Sequence, residues 1–123
     1  MLDINMTTKL AAPEEMLPLS PAVFQILLAL ADEERHGYSI MQHVKEATDG
    51  QIKMGPGTLY GTVKRMLAAK LIEESNERPD PKLDDERRRY YRLTPFGRRV
   101  LSAEVSRYSR MVKAARAVGV ATA

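Results

Sequence analysis

The 123-residue sequence contains no cysteine, no tryptophan and only two histidines. Without cysteine there is neither a disulfide nor a thiolate metal site. His36 and His43 lie seven residues apart with Glu46 nearby. A metal centre needs three or four converging ligands, and the sequence offers no such set. Ser20, Ser39 and Ser75 have no general base at motif spacing, and the "GPG" at 55–57 lacks the strand-then-lysine pattern of a phosphate-binding loop. Enzymatic chemistry therefore has no visible machinery, and neither cofactor nor metal is expected. No apolar run approaches the roughly 18–20 residues of a membrane helix. The start has no basic-then-apolar signal pattern. The expectation is a cytoplasmic protein built around one domain.

What is present is an uneven distribution of charge. The net charge is +3, and the hydrophobic (44%) and charged (28%) fractions are ordinary for a globular chain. Residues 1–54 carry four basic and eight acidic side chains, whereas residues 87–123 carry ten basic and one acidic. A cationic third behind an acidic front suits a polyanionic partner. An arginine-rich helix face in contact only with water has the same signature.

The periodicity supplies the elements. Residues 1–17 lack a sustained apolar rhythm and read as an arm, with a short helical turn near "PEEML". Ser20 is suited to cap a first helix, with Pro21 at its first position and Val23, Phe24, Leu27, Leu28 and Ala31 as the apolar stripe. Gly37 breaks the chain; Ile40, Met41, Val44 and Ala47 then recur at helical spacing until Gly50. In "GPGTLYGTVKRMLAAKLI" (55–72) a helical wheel gathers Leu59, Val63, Met66 and Leu67 on one face. Gly57, Thr58, Gly61, Lys64, Arg65 and Ala68 fall opposite, with Tyr60 and Thr62 on the flanks. Glycine costs a helix up to about 1 kcal/mol relative to Glu, Lys or Gln. Small residues beside two cations are suited to close approach by another surface, and a helix N-terminus offers N–H groups and partial positive charge to a phosphate.

"LIEES" and "RRRYYRL", the second with Arg89, Tyr90, Tyr91 and Leu93, read as two strands of a hairpin around the charged loop "NERPDPKLDDER". A last helix starts at Thr94–Pro95, and Leu101, Val105, Tyr108, Val112 and Ala115 follow heptad-like steps along one side. Such a narrow seam on a long helix needs a cover, and a second copy of the chain is the simplest one. The predicted fold class is mainly α with a small β-hairpin: a winged helix-turn-helix plus a long C-terminal dimerisation helix. Its predicted parts are an arm (1–17), a DNA-binding domain (18–94) and a dimerisation helix with tail (95–123).

The stretch "LSPAVFQILLAL…HGYSIMQHVKE…MGPGTLYGTVKRMLAAKLIEES…RRRYYRLTPFGRRVL" closely resembles the PadR family of bacterial transcriptional regulators, over about residues 19–101. The resemblance implies a homodimer, usually a repressor, that binds double-stranded operator DNA through the third helix and touches it with the wing. Carried onto this sequence, the third-helix motif falls on Gly57, Thr58, Leu59, Tyr60 and Lys64. Thr58, Tyr60 and Lys64 would face DNA, and Tyr38 would lie near the DNA backbone or brace Tyr60. Some members bind flat hydrophobic compounds between tryptophans at the dimer interface, and this chain has none.

The expected DNA-binding set is therefore Tyr38, Gly57, Thr58, Tyr60, Gly61, Lys64, Arg65 and Arg88. The expected dimerisation set is Leu101, Val105, Tyr108, Val112 and Ala115. For Tyr38, packing and a phosphate contact both stay open. A small hydrophobic effector between subunits is a further expectation, with Met41, Met66 and Met111 as adaptable lining or as simple core. The alternative is a winged-helix module that binds protein or RNA. Its interacting helix would be expected to carry apolar anchors, whereas this face has none beyond Tyr60.

Overall fold

The computed structural model describes residues 12–75 and 89–120. The expected wing loop, with Arg87 and Arg88, lies outside the described residues. Four α-helices carry a small three-stranded sheet: α1 (Pro21–Asp32), β1 (Arg35–His36), α2 (Gly37–Ala47), α3 (Pro56–Ala68), β2 (Ile72–Ser75), β3 (Tyr90–Leu93) and α4 (Pro95–Ala117). A 3-10 turn at Pro13–Met16 precedes them, at the place expected from "PEEML".

Local chemistry sets the ends of these helices. Ser20 Oγ accepts a hydrogen bond from the Val23 N–H at 3.2 Å, and Thr94 Oγ1 accepts one from the Gly97 N–H at 2.9 Å. In each case the next residue is proline, which lacks the N–H that a first helical position would leave unpaired. α2 ends at Ala47, and Gly50 turns the chain away with φ +78°.

α1 is the centre of the domain. It packs against α2, α3, α4 and β3. For that reason its buried surface is wider than the single stripe read from the sequence. Ile26, Leu27, Ala29 and Leu30 are fully buried, while Val23, Phe24, Leu28 and Ala31 are half-buried against the same core. Ile40 and Val44 of α2, Leu59, Val63 and Met66 of α3, and Val100 and Leu101 of α4 complete it. Each such aliphatic side chain contributes about 1.5–3 kcal/mol by leaving water.

Four sequence expectations are corrected. Gly37 does not break the chain but opens α2, directly after a strand. That strand, β1, is too short and too polar to show a period. It exists because β3 has a free edge, on which Arg35 pairs with Tyr91 and His36 with Tyr90, antiparallel. On the other edge β2 runs from Ile72 opposite Leu93 to Ser75 opposite Tyr90, so the hairpin is one part of a β1-β3-β2 sheet. Arg89 precedes β3 instead of lying within it. Thr62, placed on a flank by the wheel, is buried at 2% exposure. Its hydroxyl donates to the Thr58 carbonyl at 2.8 Å, which removes the penalty of burying it.

α4 is rooted at its start and runs free at its end. Thr94 donates from Oγ1 to the Lys70 carbonyl (2.6 Å) and from its N–H to the Leu71 carbonyl (3.1 Å). Gly97 lies so close to that backbone that a β-carbon there would come within 2.9 Å of the Leu71 carbonyl carbon. Further along, Glu104 is fully buried. Its Oε2 accepts from the Leu19 N–H at 2.8 Å, and its two oxygens accept from Arg107 at 2.5 and 3.0 Å. The Arg107 hydrogen bonds hold the Glu104 carboxyl below the usual carboxylate range, against the opposing effect of burial. Beyond Glu104 every residue of α4 is half-buried or exposed.

Candidate nucleic-acid interface

α3 presents its first two turns to solvent. Gly55 is the residue before the helix, Pro56 opens it, and no side chain caps this end. The first-turn N–H groups therefore have no side-chain acceptor supplied by the cap. Gly57, Thr58, Tyr60, Lys64, Arg65 and Ala68 are exposed and Gly61 is half-buried, while Leu59, Val63 and Met66 point into the core. Leu67, expected with them, is half-buried because it sits at the edge of that face.

The glycines here have no internal duty. Neither Gly55 nor Gly57 has a left-handed φ, and a β-carbon at either would meet nothing within 4 Å. A β-carbon at Gly61 would make only ordinary contact, 3.8 Å from Arg65 Nη1. The fold would accept alanine at all three positions, so the small side chains leave the surface bare without serving the packing beneath it.

The two cations of this face differ. Arg65 Nη2 donates to Thr62 Oγ1 at 3.2 Å, which lays the guanidinium along its own helix. Lys64 is exposed and has no ion-pair or hydrogen-bond partner among the described residues. Lys64 thus keeps a free ammonium, whereas Arg65 must release Thr62 to reach outward.

The tyrosines frame the same end. Tyr38 is 57% exposed at the start of α2, accepts from Gln42 Nε2 at 2.6 Å, and stacks on His36 at 6.5 Å between ring centroids. Tyr60 is 49% exposed at the start of α3 and lies over Gly37. Tyr60 is therefore seated on Gly37, and Tyr38 on His36. Beside them, β3 buries Tyr91. Burial first, then the Glu74 carboxylate and Tyr60, push the Tyr91 phenol up. At the root of the wing Arg89 pairs with Glu74 at 3.0 Å, and Arg92 Nε donates to Glu73 at 2.8 Å. Arg88 lies outside the described residues.

The α4 seam divides in two. Leu101 is 6% exposed and belongs to the core of its own domain. Val105 and Val112 are 44% exposed, Tyr108 and Ala115 are half-buried. Tyr108 packs edge-on against Phe24 of α1 at 4.9 Å between ring centroids. Val105, Tyr108, Ser109, Val112, Lys113 and Arg116 line an open groove of about 500 Å³ along this helix. Of the three methionines read as adaptable, Met66 is core, Met41 packs half-buried against it, and Met111 is 47% exposed.

Sequence reasoning missed Glu104. It is the single acidic residue among residues 87–123, and that isolation was the available signal. No helix among the described residues is long and apolar enough to cross a membrane, and no group of three or more potential metal ligands converges there.

Several known proteins are similar to this chain. An uncharacterized 37.1 kDa protein in transposon TN4556 of Streptomyces fradiae is 34% identical over 86 residues, 70% of this chain. The match spans only 22% of that protein's length. The crystal structure of a PadR family transcription regulator from hypervirulent Clostridium difficile R20291 aligns with a TM-score of 0.66 at 24% identity, covering 80% of this chain and 98% of that one. Bacillus subtilis PadR, solved in complex with operator DNA, aligns with a TM-score of 0.58 at 23% identity, covering 72% of this chain and 48% of that one. At these identities the structures establish a shared fold. The sequence goes further. Residues 26–103, well over half of the chain, match the transcriptional regulator PadR-like family, a family of regulators and not of enzymes, and the chain belongs to it.

Proposed function

We propose that the protein is a cytoplasmic, sequence-specific DNA-binding regulator, a homodimeric repressor whose two α3 helices enter successive major grooves of a near-palindromic operator. The observation that carries this reading is the start of α3: an uncapped helix end, three small residues with no packing role, and a free lysine beside them. Backbone N–H groups and Lys64 would meet phosphates; Thr58 and Tyr60 would reach phosphates or base edges; Arg65 would join once released from Thr62. Tyr38 fits a phosphate contact at the rim, and Arg88 a contact from the wing. The structural neighbour from Bacillus subtilis, solved with operator DNA, supports DNA as the partner.

The exposed seam positions Val105, Tyr108, Val112 and Ala115 would pair two copies about a two-fold axis, with Leu101 supporting them from within. That pairing would set half-sites about one helical turn apart. The groove along α4 supports the further reading that a small hydrophobic effector binds between subunits and releases the DNA.

The test is a mobility-shift titration with duplex from directly upstream of the protein's own gene. It is run at two salt concentrations, with Lys64→Ala beside the wild type and random duplex as competitor. The expected result is binding that outcompetes random DNA and weakens with salt. In Lys64→Ala the salt slope should fall by about two, one for each α3 helix of the pair. Absence of binding to any duplex at low salt would move the reading to a protein or RNA partner.

A further inference from the structure

Gly37 is buried, opens α2, and has no left-handed φ that would demand glycine. Its reason for being glycine is space. A β-carbon built there would run into the Tyr60 hydroxyl oxygen, the nearest atom, and would lie 2.7 Å from Cζ and 3.0 Å from Cε1. The Tyr60 ring therefore rests in a slot made by the missing side chain. Tyr60 is otherwise half exposed, and an exposed aromatic side chain without such a seat would sample several rotamers. The slot lies where three elements meet. Gly37 follows β1 directly, β1 is hydrogen-bonded to β3, and Tyr60 is close enough to Tyr91 of β3 to influence its phenol.

On the reading that α3 meets DNA, we propose that Gly37 is a positioning residue for recognition: its slot holds the Tyr60 hydroxyl between the starts of α2 and α3, and from that seat the hydroxyl donates to a phosphate. The atoms in the way of a Gly37 side chain are the far end of a flexible side chain. At Gly97 they are backbone. Gly37→Ala should therefore leave the helices in place and push the Tyr60 ring out of its seat.

The experiment compares wild type, Gly37→Ala, Tyr60→Phe, Tyr60→Ala and the double variant Gly37→Ala/Tyr60→Ala on one operator duplex at one salt concentration. Two-dimensional NMR of each free protein reads the nuclear Overhauser effect between the Gly37 α-protons and the Tyr60 ring. A hydrogen bond to a phosphate corresponds to about tenfold in affinity, and the two of a homodimer together to about a hundredfold. Gly37→Ala and Tyr60→Ala should each lose about that factor, and the double variant should lose no more than Tyr60→Ala alone. Tyr60→Phe should keep the Overhauser effect and lose the affinity. Wild-type affinity in Gly37→Ala or in Tyr60→Phe would overturn the proposal, as would losses that multiply in the double variant. If Gly37→Ala does not fold, the double variant must fold, since it empties the slot; its failure would also overturn the proposal. A wild type that shows the Overhauser effect but binds no duplex would instead overturn the DNA reading on which the proposal rests.

Discussion

The N–H of Leu19 donates to Oε2 of Glu104 across 85 residues of sequence, at 2.8 Å. This bond ties the segment before α1 to the middle of α4. The carboxylate that accepts it is fully buried and also holds Arg107 through both oxygens. A buried carboxylate is tolerable only when paired and hydrogen-bonded, and here both conditions hold.

Removing that charge should cost stability. Glu104→Gln keeps the shape of the side chain but cannot satisfy Leu19 and the Arg107 fork together. The expected loss is about 2 kcal/mol, read as a lower urea midpoint at unchanged m-value. A midpoint equal to wild type would mean that water replaces the carboxylate without penalty.

The same group sets an acid limit. Its folded pKa is depressed, so its contribution is fully present above the unfolded value of about 4.3 and is lost as pH falls through the folded value. Wild-type stability should fall through the region below about pH 4, and part of that slope should be missing in Glu104→Gln. Parallel stability–pH profiles for the two proteins would remove Glu104 from the acid response.

Gly97→Ala should be the more damaging of the two glycine substitutions considered. Its β-carbon meets the Leu71 carbonyl, and backbone cannot turn aside as a side chain can. Overpacking of this kind costs about 1–3 kcal/mol or more. Thermal unfolding should show a loss clearly larger than that of Gly37→Ala; the reverse order would contradict the contacts described.

Val112→Asp tests the α4 seam. Val112 is 44% exposed, so the change should leave monomer unfolding within about 0.5 kcal/mol. On the proposed two-fold pairing, sedimentation should shift from dimer to monomer, and operator affinity should fall with it. An unchanged dimer would shift the interface to another surface.

The parts legible in the sequence were those governed by neighbours along the chain. The Ser20–Pro21 and Thr94–Pro95 pairs marked two helix starts because a hydroxyl cap and an absent N–H are local chemistry. The wheel separated Leu59, Val63 and Met66 from the bare face of α3 because one period governs both. The rest depended on distant partners. β1 has no pattern of its own and is defined by the edge of β3. Thr62 reads as a flank residue until its hydroxyl is seen bonded within its own turn. Gly37 reads as a breaker until Tyr60 is seen occupying the space above it. The centrality of α1, and with it the width of its buried face, follows from packing on several sides at once.

α4 has 23 residues, or roughly 34 Å at the rise of an α-helix. It is clamped along its first half, where Gly97 lies against Leu71 and Glu104 grips Leu19. A rod held in this way is a lever. A tilt of about 5° at the clamp displaces the far tip, about 20 Å beyond Glu104, by roughly 2 Å. The relation also runs backwards: whatever grips the tip gains mechanical advantage over the clamp. In a two-fold pair, the distance between the two α3 helices would then be dialled by the angle of α4, and a small torque at the far end would take the pair in or out of step with the pitch of the duplex.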